Sequence, residues 1–197
     1  MKALPSDNPG RKNVGASVRA LLLNIARNEQ RDYNALLVEF AQERFLYRLS
    51  VSPFSSHFIL KGALLLRAYP LPTARPTRDI DFLGRETSNN PLRLKEIFQV
   101  ILKAHYDDGV MFLPETISVE EIAEQAEYPG VRIKVKCLIG GAKLLLQIDI
   151  GFGDIVVPGP VEMDSQPSFN SPLPISGCIH SSPALQRSSK RLRSLGC

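Results

Sequence analysis

Between Val131 and Gly151 the chain spells out a β-hairpin more plainly than any other element. Val131, Ile133, Val135 and Cys137 alternate with Arg132, Lys134 and Lys136, the period of a strand with one face turned to an apolar core. Gly140-Gly141 supplies a tight turn, and Lys143 to Gly151 returns as the antiparallel partner. On the returning strand Leu144, Leu146, Ile148 and Ile150 share one face, whereas Leu145, Gln147 and Asp149 share the other. A carboxylate in so apolar a strand is costly to bury alone, so Asp149 calls for a partner or a cation.

Helices to cover such a sheet are legible upstream. From Ala16 to about Asn28, Val18, Leu21, Leu22 and Ile25 recur at helical spacing. Asp32 reads as the N-cap of a longer helix to about Leu49, with Leu37, Phe40, Ala41 and Phe45 on its core stripe and Arg44 and Arg48 beside or opposite it. Ser52-Pro53 ends that pair. Asn90-Pro91 reads as N-cap and first residue of a helix to about His105, with a core stripe of Leu94, Ile97, Phe98 and Ile101. The expected fold is therefore α+β (mixed α/β): a small mixed sheet with helices packed on it. With 197 residues, 44% of them hydrophobic and 22% charged, the chain suits one domain over residues 16–164. Residues 1–15 read as a flexible lead-in, and residues 165–197, dense in Ser and Pro and free of acidic residues, as a disordered or weakly docked tail. No apolar run reaches the roughly 18–20 residues of a membrane span and the N-terminus lacks the apolar core of a signal peptide, so the expected location is the cytoplasm. Cys137, Cys178 and Cys197 form neither a disulfide framework nor a zinc site, and Cys137 reads as core. The net charge of +4 permits a nucleotide or nucleic-acid partner without demanding one.

The stretch from His57 to Gly84 carries the chemistry. Phe58 to Leu60 reads as a short strand, Lys61-Gly62 as a break into one or two helical turns, and Asp79-Ile80-Asp81 as a second strand after a Pro-rich loop. Asp79 and Asp81 project from one face, about 7 Å apart at ~3.3 Å per residue. With Asp149 they offer three carboxylates to hard divalent cations of the kind that serve phosphoryl and nucleotidyl transfer. Lys61-Gly62-Ala63 offers close backbone approach and a cation to phosphate, and Arg67, Arg75 and Arg78 add positive charge around the D-x-D. His57, His105 and His180 lack ligand spacing, and Arg132, Lys134 and Lys136 read as a solvated sheet face, with RNA contact the minority reading.

Leu60-Lys61-Gly62-Ala63 followed by Arg75-Pro76-Thr77-Arg78-Asp79-Ile80-Asp81 resembles the signature of the AbiEii/AbiGii-type toxin nucleotidyltransferases, within the DNA polymerase beta-like superfamily. The resemblance runs from about Val18, through Glu43-Arg44 and Leu49, to Asp149-Ile150-Gly151-Phe152-Gly153-Asp154. It implies a nucleotidyltransferase fold, with Asp79, Asp81 and Asp149 as catalytic metal ligands for Mg²⁺ or Mn²⁺. It further implies that Asp149 helps activate the attacking hydroxyl and that Lys61, Gly62 and Ala63, joined by Arg75 and Arg78, hold a nucleoside triphosphate. The implied role is a toxin of a bacterial toxin–antitoxin or phage-defence pair, with RNA, in particular tRNA, as acceptor and an antitoxin protein as partner. Ala63 stands where family members carry Ser or a second Gly, which removes a hydroxyl but keeps the backbone contact. Family chains continue into a helical half bearing a lysine and further Arg and Asp motifs; here Lys190, Arg191 and Arg193 lie in the Ser/Pro-rich segment, and the expectation is a truncated or out-of-frame C-terminus. Two rival readings stay open: a catalytically inactive remnant or nucleotide-binding module, and a phosphotransferase that moves the γ-phosphoryl group at the same metal site.

Overall fold

A computed structural model of the chain describes residues 13–66, 77–122, 130–153, 161–164 and 178–181. The helices form where capping residues and apolar periodicity coincide. Helix α1 (Val14–Asn28) starts at Asn13, whose side chain accepts the Ala16 N–H at 3.0 Å; it buries Val18, Leu22 and Ala26. Helix α2 (Tyr33–Ser50) starts at Asp32, which accepts the Ala35 N–H at 2.6 Å, as the sequence predicts. The short strand β1 (Phe58–Lys61) runs into a single helical turn and a half, α3 (Gly62–Leu66). Strand β2 (Asp79–Gly84) carries the D-x-D, and helix α4 (Pro91–Lys103) is capped by Asn90, which accepts the N–H groups of Leu92 and Arg93.

The remaining strands are β3 (Val110–Ile122), β4 (Gly130–Ile139), β5 (Ala142–Gly151), β6 (Val161–Asp164) and β7 (Cys178–Ser181). They join the first two in one sheet of order β3-β4-β5-β2-β1-β7-β6. The hairpin forms as expected: β4 and β5 pair antiparallel from Val131↔Ile150 to Ile139↔Ala142, with Gly140 and Gly141 at φ 50° and 86°. Two successive positive φ angles are the backbone a two-residue hairpin turn needs, and glycine takes them without strain. Strand β2 lies parallel to β5 and antiparallel to β1, so the sheet is mixed. At the β3 edge the register slips between Leu113 and Ser118, around Pro114, which cannot donate to a ladder. Thr116 Oγ1 bridges the gap, donating to Leu113 O at 2.7 Å and accepting the Lys136 N–H at 3.0 Å.

Within residues 165–197, read from the sequence as a disordered or weakly docked tail, Cys178–Ser181 forms a strand that lies parallel to β1 through Leu60↔Ser181 and antiparallel to β6. Four residues are too few to show a period, and their pairing is driven by the unfilled backbone groups at the β1 edge. Of the expected lead-in, residues 13–15 are the cap and first residues of α1; its remaining residues, and the tail apart from Cys178–Ser181, lie outside the described residues.

Helices α1, α2 and α4 share one apolar core with the strand residues Ile80, Phe82, Val131, Ile133, Val135, Cys137, Leu146, Ile148 and Ile150. At its centre Phe98 of α4 stacks on Phe45 of α2 at 5.9 Å and meets Phe58 of β1 edge-on at 5.3 Å, while Phe82 of β2 contacts both Phe45 and Phe58. Burial of each such ring contributes about 1.5–3 kcal/mol. It also settles which way β2 faces: with Ile80 and Phe82 turned to the helices, Asp79 and Asp81 occupy the opposite face.

Two buried arginines of α2 differ in kind. Arg48 forks onto Asp108 at 2.7 and 3.2 Å, donates to the carbonyls of Arg44 and Ala104, and lies between the rings of Tyr106 and Phe112. Arg44, 1% exposed, lies over the Phe40 ring at 5.0 Å, but its Nε and Nη2 find no hydrogen-bond partner among the described residues. Burial lowers its pKa, against the raising effect of Asp108 and Glu43.

Candidate active site

Strand register brings distant residues into one row. Lys61 of β1 is the partner of Asp81 in β2, Asp81 of Asp149 in β5, Asp149 of Arg132 in β4, and Arg132 of Glu120 in β3. Register partners stand on the same face roughly 5 Å apart, so five charged residues cross five strands in the order Lys, Asp, Asp, Arg, Glu. The next row sets Asp79 beside Gln147 and Lys134 beside Ser118. Asp79, Asp81 and Asp149 are each half-buried.

Gly62 ties the β1 break to the D-x-D. At φ +68° its backbone is in the left-handed region, and a Cβ there would meet the Asp81 side chain: Oδ2 first, then Cγ at 3.0 Å and Cβ at 3.1 Å. The missing side chain is the space the Asp81 carboxylate occupies. Ala63 and Gly62 are exposed, as is Arg78; Lys61 is half-buried. Arg67 and Arg75 lie outside the described residues. The loop entering β2 is held from below, where buried Gln42 of α2 donates to Thr77 O at 3.2 Å and Thr77 Oγ1 donates to Asp79 O.

Asp149 has the partner its apolar strand demanded. Arg132 Nε donates to Oδ1 at 2.8 Å and Nη2 to Oδ2 at 2.7 Å, a two-pronged pair whose side chains are 33% and 20% exposed. The hydrogen bond to Asp149 raises the Arg132 pKa above that of a free guanidinium; burial opposes it, and the charges of Asp149, Asp79 and Glu120 add to it. Arg132 is therefore not the solvated face residue its alternation with Val131 and Ile133 suggests. Lys134, its neighbour two positions on, reaches Glu120 at 3.0 Å, and Lys136 is exposed. The hairpin itself contained the signal for Arg132: from the Ile139↔Ala142 pair at the turn, seven steps back on each strand give Arg132↔Asp149.

The donor set suits a hard divalent cation, since it consists of carboxylates on one face of two adjacent strands, beside a glycine cradle that leaves Asp81 room. Among the described residues no three His, Cys, Asp or Glu side chains are gathered closely enough to hold a metal as they stand. Both Asp149 oxygens are engaged by Arg132, on the side of β5 away from Asp81.

The chain belongs to the family described as "Nucleotidyl transferase AbiEii toxin, Type IV TA system", whose model matches residues 44–184 and so includes every candidate site residue and β7. Among solved structures, a Helicobacter pylori protein assigned as a nucleotidyltransferase is 16% identical with a TM-score of 0.45, covering 82% of this chain and 59% of its own. JHP933 from Helicobacter pylori is also 16% identical, with a TM-score of 0.43, over 82% of this chain and 57% of its own. The chain thus spans less than two thirds of either. No curated protein sequence matches it. Among the described residues no helix is long and apolar enough to cross a membrane.

Proposed function

We propose that this AbiEii-family chain transfers a nucleotide from a nucleoside triphosphate to an acceptor hydroxyl on RNA, with tRNA the favoured acceptor, as the cytoplasmic toxin of a toxin–antitoxin pair that serves phage defence. The observation that supports this reading best is the register pairing of Asp81 with Asp149, with Asp79 on the same face one row away. Asp79, Asp81 and Asp149 would hold Mg²⁺, or Mn²⁺ in its place. When bound, the metal supplies charge neutralisation at the reacting phosphate and leaving group. Asp149 orients and activates the acceptor hydroxyl from the β5 side. Gly62 and Ala63 present exposed backbone to the triphosphate, and Lys61, the register partner of Asp81, supplies a cation beside the phosphates. Arg78, exposed at the entry to β2, contributes further positive charge, and Arg75 joins it in this reading on the strength of the sequence motif alone.

The test is incubation with total RNA, Mg²⁺ and triphosphates labelled at either the α or the γ position. The expected result is α-label on RNA, falling by on the order of 10²-fold or more in Asp79→Ala and Asp81→Asn. Transfer of γ-label alone would identify a phosphotransferase instead, and equal labelling by parent and variants would remove the mechanism. Co-purification of the protein encoded beside it would identify the antitoxin.

A further inference from the structure

The clasp of Arg132 on Asp149 places a permanent cation on the carboxylate that the proposed reaction needs for a divalent one. We propose that Arg132 is a positioning residue: it serves Asp149 as a resident counter-ion in the unloaded protein, releases it when a divalent cation loads beside Asp81, and turns its guanidinium to the phosphates of the incoming triphosphate. This rests on reading Asp79, Asp81 and Asp149 as a cation site.

The geometry carries the exchange. A carboxylate has about four lone-pair positions, and the Arg132 fork engages both oxygens from the β4 side, whereas a cation shared with Asp81 must approach from the β2 side. Two aspartates side by side in a parallel register repel one another, and Arg132 offsets that repulsion while no divalent cation is present. Once the cation neutralises them, a guanidinium beside it is repelled rather than held. Arg132 is free to leave: its side chain is one-third exposed, and no backbone carbonyl among the described residues accepts from it. A planar fork that fits a carboxylate also fits a phosphate. Lys134 carries the same charge on the same strand face but is committed to Glu120, which makes it a matched control.

The experiment measures Mn²⁺ binding by electron paramagnetic resonance in the full chain without nucleotide. It then measures binding of the α,β-methylene analogues of ATP, GTP, CTP and UTP, each with saturating Mn²⁺. In Arg132→Gln, Mn²⁺ should bind roughly tenfold tighter while the preferred triphosphate analogue binds roughly tenfold more weakly. Lys134→Gln should move Mn²⁺ affinity by less than about twofold. Arg132→Lys, which keeps the charge and loses the fork, should bind Mn²⁺ more tightly than the parent and retain the analogue within about threefold. A merely structural arginine would shift both affinities the same way, so weaker Mn²⁺ binding in Arg132→Gln overturns the exchange. Equal effects of Arg132→Gln and Lys134→Gln overturn it as well, since they would reflect net charge alone. If the parent binds no Mn²⁺ even with an analogue present, the cation site itself fails, and the inference with it; melting curves of each variant show that the comparison is between folded proteins.

Discussion

Gly62→Ala probes the join between the β1 break and the D-x-D strand more directly than any carboxylate substitution. Alanine at φ +68° carries a left-handed backbone cost of about 1–2 kcal/mol. The new Cβ would also crowd Asp81, and turning the carboxylate away by rotation about Cα–Cβ relieves the contacts with Oδ2 and Cγ but not the one with Cβ. The Asp81 Cβ, 3.1 Å from the new atom, moves only with β2, which is pinned by its ladders to β1 and β5 and by Phe82 in the aromatic cluster. A total of about 2–3 kcal/mol follows, with strand displacement included at the scale of modest overpacking. Urea denaturation should show a lower midpoint with an unchanged slope, a shift on the order of 1 M at the slopes usual for small domains. Because Asp81 must turn, Mn²⁺ affinity and nucleotide transfer should fall together even at temperatures where the variant is fully folded. A Gly62→Ala protein within about 0.5 kcal/mol of the parent and with unchanged Mn²⁺ affinity would refute the reasoning, for then neither the backbone angle nor the contact with Asp81 matters.

Asp108→Asn leaves Arg48 buried without its counter-charge and should cost about 3–5 kcal/mol by thermal or chemical denaturation; Arg44→Met, which removes a buried guanidinium whose Nε and Nη2 have no partner among the described residues, should be neutral or stabilising by about 1–2 kcal/mol. A destabilised Arg44→Met protein would show that Arg44 has a partner. Ala63→Ser restores a hydroxyl at an exposed position and should leave stability within about 0.5 kcal/mol while tightening triphosphate binding, as measured by titration calorimetry. Burial pushes the Cys137 thiol up to about 12, against a smaller lowering by Arg48. Its folded pKa therefore exceeds the unfolded one, so the contribution is intact below the ordinary thiol pKa and is lost as pH rises towards 12. Denaturation midpoints of the parent should fall more steeply than those of Cys137→Ala between about pH 9 and 12, and thiol reagents at neutral pH should label Cys137 only on unfolding.

The extents of α2, α4 and the β4–β5 hairpin were legible because each depends on local chemistry: a capping Asn or Asp, an apolar period, a pair of glycines; α1 was legible by its period, but it starts at Val14 behind the cap Asn13, inside the expected lead-in. The hairpin register belongs in the same class, for a two-residue turn sets every pair behind it. Arg132 was therefore within reach of the sequence, and it escaped because alternation by itself marks a face and says nothing of what stands across from it. Strand β7 was out of reach, since four residues among Ser and Pro take their conformation from the β1 edge they pair with.

What the sequence determined by itself was the inventory: a D-x-D on one strand, a third aspartate on another, a glycine break, and the family to which these motifs belong. Only the tertiary structure decided that Asp81 faces Asp149. Sixty-eight positions separate them, no turn connects β2 directly to β5, and their parallel register is set by how Ile80, Phe82, Ile148 and Ile150 settle against the helices. The same packing put Gly62 against the Asp81 carboxylate and left Asp149 in the grip of Arg132, so the charge balance of the site is a product of the core on the other side of the sheet.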